Sequence, residues 1–121
     1  MLILVCWGMT AKPLIWVGSS RADVRAFPAD ARRIAGFQLW RVQRGLDPND
    51  WEPMPTVGAG VREIRVHTEL EHRVLYIAKF TEGVYVLHAF EKRSRKTPQR
   101  EPGIAGHRLR LLLRERERGW R

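Results

Sequence analysis

The stretch from Val61 to Pro98 decides the fold. It contains Val61-Arg-Glu-Ile-Arg-Val-His67, Arg73-Val-Leu-Tyr-Ile-Ala-Lys-Phe80 and Val84-Tyr-Val-Leu-His-Ala-Phe90, and it closes on Glu91-Lys-Arg-Ser-Arg-Lys-Thr-Pro98. The three segments are rich in Val, Ile, Leu, Tyr and Phe, which fit a pleated, half-buried surface. Thr68 to His72 and Thr81-Glu-Gly83 are hairpin-sized connections, the second with a glycine where a tight turn favours one. A three-stranded antiparallel meander is predicted. Its last strand runs into Lys92, Arg93, Arg95 and Lys96 before Pro98 stops it. Cations mounted on a strand end are held in place, which suits a phosphate backbone. A solubilising charge run after an edge strand would read the same way.

Upstream, Leu14-Ile-Trp-Val17 reads as a short strand closed by Gly18-Ser19-Ser20. Ser20 with Asp23 three positions on is a weak capping-box pattern and predicts a helix start. Phe27-Pro28 interrupts that helix, and Pro28 can open the next one in its first turn. Ala31, Ile34, Ala35, Leu39, Val42 and Leu46 then recur at helical spacing, completing a helical hairpin. Phe37 and Trp40 lie off that stripe; they are expected in the core, with a partner-docking surface as the alternative. Leu46 to Gly60 carries three prolines and two glycines and reads as a loop. Ile104 to Arg118 reads as a final helix, with Leu109, Leu112 and Leu113 on one face and arginines around it. The expected fold class is α+β: a short first strand and helical hairpin packed on the meander, with a C-terminal helix.

At 121 residues and 44% hydrophobic, the chain fits one globular domain. Its formal charge of +9 favours a polyanionic partner. From Lys92 onward eleven cations face three acids, so almost all of the excess sits in the last quarter. The single cysteine, Cys6, allows no intramolecular disulfide and points to a reducing cytoplasm. Met1 to Trp7 is apolar but far shorter than a membrane span, so no membrane partner is expected. Residues 1–11 read as an N-terminal extension, with Met9 as an alternative start, and 12–121 as the domain. The histidines His67, His72, His88 and His107 show no helical metal-ligand spacing, and no phosphate-binding glycine loop occurs. Neither a metal nor a nucleotide cofactor is expected.

Four segments together resemble the RelE/HigB toxins of type II toxin–antitoxin systems, within the RelE/ParE superfamily and its phage-related HigB-like branch. They are Lys12-Pro-Leu-Ile-Trp-Val-Gly-Ser-Ser20, Gly60-Val-Arg-Glu-Ile-Arg65, Arg73-Val-Leu-Tyr-Ile-Ala-Lys79 and Leu87-His-Ala-Phe-Glu-Lys-Arg-Ser-Arg-Lys-Thr-Pro98. The resemblance implies a ribosome-dependent mRNA endonuclease that inhibits translation and is itself neutralised by a cognate antitoxin. A helix-turn-helix antitoxin is expected, with operator DNA bound only through it. The implied chemistry is metal-free: a ribose 2′-hydroxyl attacks the adjacent phosphate and expels the 5′-oxygen. That reaction needs a proton acceptor, a donor, and cations around the pentavalent transition state.

Carried over by position, Arg73, Lys92, Arg93 and Lys96 are the implied catalytic residues. Arg65, Lys79, His88, Arg95 and Arg110 are implied RNA contacts. Arg65 could equally pair with Glu63, and His88 could be an interior histidine. Many RelE toxins carry a tyrosine a few residues past the basic run, but none follows Tyr85 here. That leaves Lys92, Lys96 and His88 as candidates for acid and base. The antitoxin is expected to cover a basic face formed by Arg73 to Lys79 and Lys92 to Lys96, with Trp40 as an aromatic contact. Two rivals stay open: a ParE-like DNA gyrase inhibitor with the same fold, and a non-catalytic nucleic-acid-binding module.

Overall fold

The computed structural model describes residues 11–119. The expected extension, Cys6 and the choice between Met1 and Met9 lie outside the described residues. In chain order the elements are β1 (Leu14–Trp16), α1 (Ser20–Arg25), α2 (Ala29–Gln43), β2 (Trp51–Pro53), β3 (Val61–His67), β4 (Glu71–Ile77), β5 (Val84–Lys92) and α3 (Arg100–Gly119). The architecture is α+β. One five-stranded sheet has the order β1-β5-β4-β3-β2, antiparallel except for the parallel β1–β5 pair.

The meander follows from sequence because its strands are bounded by turn residues and bury apolar side chains on both faces. On one face, Ile64, Val66, Val74, Tyr76, Val84 and Val86 meet Val24 and Phe27 of the α1 region and Ala31, Ala35, Leu39 and Val42 of α2. On the other, Val61, Leu75, Ile77, Tyr85 and Leu87 meet Ala105 and Leu109 of α3. A sheet covered on both sides explains why His72 to Ile77 read as a nearly continuous buried run.

Several local expectations change. The loop from Leu46 to Gly60 contains β2, which pairs with Pro53 opposite Arg62 at the sheet edge, where a missing N–H is tolerated. Ser20 is the first residue of α1 rather than its cap; its Oγ accepts from the Val17 N–H, and Ser19 Oγ donates to Asp23. Pro28 is the N-cap of α2, with extended geometry, instead of lying in its first turn. Phe37 and Trp40 are not in the core: they are 50% and 46% exposed. They point away from the sheet because the buried stripe of α2 is already filled by small and branched residues.

One irregularity sets the chemistry. Leu75 pairs with His88 but the next residue, Tyr76, pairs with Val86, so Leu87 is an extra residue in β5. This β-bulge puts both Leu87 and His88 on the α3 face. Alternation beyond it sends Phe90 and Lys92 there too. Without the bulge, His88, Phe90 and Lys92 would point towards α1 and α2.

α3 is tied down at both ends. His88 Nε2 lies 2.6 Å from Glu101 in its first turn. Near its C-terminus the Arg116 guanidinium donates to both Glu82 oxygens, at 2.5 and 3.2 Å, and lies over the Phe80 ring at 3.7 Å. Arg108 donates to the Leu87 carbonyl and to Ser19 Oγ.

Candidate functional site

Beyond the first turn of α3, the same sheet face carries charge. Arg65 and Arg73 are direct partners across β3 and β4, and Glu71 is opposite Lys92 across β4 and β5. Two like charges facing each other across strands repel. Here the repulsion is relieved by carboxylates woven between them. Glu52 lies 2.5 Å from Arg65, and Glu63 lies 3.8 Å from both Arg65 and Arg73. Glu71 lies 3.0 Å from Arg73 and 2.8 Å from His67, whose other ring nitrogen is 2.6 Å from Asp50. The result is an alternating chain of charges across β2, β3 and β4.

Two members of this chain are buried, Glu63 at 6% and Arg73 at 7% exposure. Burial pushes the Glu63 carboxyl above the usual carboxylate range, partly offset by the neighbouring guanidiniums of Arg73 and Arg65. Its hydrogen bond to His67 holds Glu71 low, and the same contact, with Asp50, holds His67 high. A carboxylate of raised basicity between two arginines is a proton acceptor beside a phosphate-sized positive field. In the sequence Glu63 reads only as a salt-bridge partner; its burial between two arginines is seen only in the fold. It pairs across the sheet with Glu52 of β2 and Leu75 of β4, a placement that no local pattern announces.

The residues singled out by sequence are distributed unevenly. Arg65, Arg73 and Lys92 share one end of the α3 face, and His88 lies on that face nearer α3. Lys92 does not extend outward: its ammonium donates to the carbonyls of Ser94 and Arg95, at 2.7 and 2.6 Å, and folds the following loop back. Arg93, Arg95 and Lys96 are exposed on that loop. Arg110 is exposed on α3. Lys79 is at the opposite end of β4, about 20 Å along the strand from Arg73 at ~3.3 Å per residue. Arg73 to Lys79 therefore do not form one basic face; the segment between them is buried on both sides.

A cavity of about 440 Å³ opens beside this end of the sheet, where β1 has ended and the edge of β5 is uncovered. His72, His88, Glu91, Arg100, Glu101 and Arg108 contribute to its lining. His88 Nε2 is engaged by Glu101, while its buried Nδ1 has no partner among the described residues. Among the described residues no group of three or more His, Cys, Asp or Glu is arranged to hold a metal ion. No described helix is long and apolar enough to cross a membrane.

Comparison with known families adds one match: residues 22–110 fit the family described as phage derived protein Gp49-like. No curated protein matches the chain. The matched span runs from α1 into α3 and includes the whole charged end of the sheet.

Proposed function

The chain belongs to the phage-derived Gp49-like family, and on that premise we propose that it is the toxin of a type II toxin–antitoxin pair, an endoribonuclease that cuts messenger RNA on the ribosome. The family is associated with RelE-like toxins. The observation that carries the nuclease reading is Glu63, a buried carboxylate of raised pKa placed 3.8 Å from each of two guanidiniums. In this reading Glu63 takes the proton of the ribose 2′-hydroxyl as that oxygen attacks the adjacent phosphorus. Arg73 and Arg65 neutralise the charge gathering on the phosphoryl oxygens. The 5′-oxygen leaves with a proton from Lys92, Lys96 or His88, giving a 2′,3′-cyclic phosphate and a 5′-hydroxyl. No metal takes part.

Arg73 already donates to Glu71 and to the His72 carbonyl. An incoming phosphate must replace Glu71, so the isolated protein is a weak phosphate binder. Dependence on the ribosome follows if ribosomal RNA holds the message in place while that exchange occurs. The exposed loop from Arg93 to Lys96 supplies the first, salt-sensitive contacts with RNA. The antitoxin, an acidic partner in this reading, covers that loop. The stacked Phe37–Trp40 pair, with Arg44 over Trp40 at 5.0 Å, gives it an apolar foothold on α2.

Induced expression followed by 5′-end mapping of a translated message tests the reading. Wild-type protein should cut translated messages, and Glu63→Gln should cut them roughly 10²–10⁴-fold more slowly, the range for loss of a general base. Cleavage by Glu63→Gln at the wild-type rate would remove Glu63 from the chemistry. One observation favours a second reading: Arg65 and Arg73 are paired with carboxylates, and Lys92 donates to backbone carbonyls. In that reading the protein binds nucleic acid through Arg93, Arg95, Lys96 and α3 without cutting it. Growth arrest with intact messages and unaffected gyrase would favour it, whereas inhibited gyrase would favour a ParE-like target.

A further inference from the structure

A second charged cavity lies at the far end of the sheet, and we propose that it binds a small phosphomonoester of nucleotide size. The cavity measures about 310 Å³ and sits between the C-terminal end of α2 and the ends of β3 and β4. Lys12, Arg62 and Lys79 line it against a single acid, Asp47, and Val42, Leu46 and Ala78 form an apolar wall. It lies on the opposite face of the sheet from Glu63 and Arg73: Arg62 and Tyr76, paired across β3 and β4, face α2 rather than α3. The inference does not rest on the nuclease reading.

Tyr76 carries the most weight. Its side chain is 1% exposed, and its hydroxyl has no hydrogen-bond partner by geometry among the described residues. Arg62 lies close enough to hydrogen-bond that oxygen, but a guanidinium can only donate. The phenol's own proton therefore still lacks an acceptor. Burial pushes the Tyr76 pKa up, which keeps that proton on the oxygen at neutral pH. A buried O–H next to cations is completed by an anionic oxygen.

The cations are held ready by their own contacts. Lys12 Nζ donates to the carbonyls of Ala78 and Phe80, at 2.7 and 2.9 Å, which leaves one N–H to spare. Arg62 is held by Asp47, to which its Nη1 donates at 2.9 Å, and by the Trp51 ring at 4.0 Å. The Lys79 stem runs beside Gly60, whose φ is +88°; a Cβ there would come within 3.0 Å of Lys79 Cδ. Gly60 thus serves both its left-handed turn and the place of Lys79. Two ammonium groups, one before β1 and one just after β4, and the β4 hydroxyl approach from several directions, as a tetrahedral oxyanion accepts them. The cavity is larger than a bare phosphate and falls at the small end of the ~300–1,000 Å³ range of small-molecule sites. The apolar wall takes the organic part of the ligand.

Calorimetric titration of the full chain with 5′-AMP, with inorganic phosphate and with adenosine tests this. AMP should bind and adenosine should not. Lys79→Ala, at an exposed position, and Tyr76→Phe, which keeps the ring, should each weaken AMP by about tenfold or more. Binding of inorganic phosphate as tight as that of AMP would identify free phosphate as the ligand of the same site. No heat from either anion at millimolar concentration, or unchanged affinity in both variants, would overturn the proposal.

Discussion

Arg73 shows how a single side chain can serve stability and, in the proposed reaction, charge neutralisation. Read along the chain, it is a surface cation at a strand start. In the fold it is buried between Glu63 and Glu71. Arg73→Ala would leave the buried Glu63 without one of its cations, and breaking a buried pair by removing one partner costs about 3–5 kcal/mol. We expect a large drop in the urea midpoint for Arg73→Ala and a smaller one for Arg73→Lys, which keeps the charge but not the fork. Equal midpoints for wild type and Arg73→Ala would show that the pair contributes little to folding. Any loss of cleavage in the alanine variant therefore has to be read beside its stability, whereas Glu63→Gln is nearly isosteric. In the sequence, Arg65 and Arg73 were each singled out by resemblance; their pairing across β3 and β4 appears only in the fold. The carboxylates that share their space were not visible as a network, because Asp50, Glu52 and Glu63 come from two strands and a loop.

Elements were legible where they had both a period and punctuation. The bounds of β3 are those its sequence predicts, and α2 buries the predicted Ala31, Ala35, Leu39 and Val42. β2 was hidden, since a three-residue strand containing proline carries no periodic signal and exists only because β3 offers an edge. The bulge in β5 was hidden for a related reason: the segment is apolar at every position, so alternation cannot reveal an extra residue. That residue alone decides whether His88 and Lys92 stand with Arg73. Gly36 offers a cleaner test of helix physics. It lies in the exposed middle of α2, and an added Cβ would meet nothing within 4 Å. Gly36→Ala should stabilise the protein by about 0.5–1 kcal/mol through reduced backbone entropy of the unfolded chain. A thermal midpoint that fails to rise would mean that α2 gains nothing from the added helical propensity.

Across the whole molecule, α3 is clamped to the sheet through Glu82, which accepts from Arg116 and from the Tyr85 hydroxyl. These contacts, the Arg116 hydrogen bond first, hold the Glu82 carboxyl down at about 2 against an ordinary 4.5. A depressed carboxyl contributes stability above its ordinary pKa and loses it as pH falls towards the folded value. The wild-type melting temperature should therefore decline between pH 4.5 and about 2 more steeply than that of Glu82→Gln, which should already be less stable at neutral pH. Parallel pH profiles would mean that the clamp contributes nothing to folding. The pairing of β1 with β5 also governs when the molecule can exist at all. Leu14 waits for Val84, seventy positions later, before it has a neighbour to bond. At ~5–20 residues per second that gap is roughly 4–14 s of synthesis. Until then the strand bearing His88 and Lys92 has not been made, and β4 lacks its partner on that side. The charged end of the sheet is therefore complete only after β5 has left the ribosome.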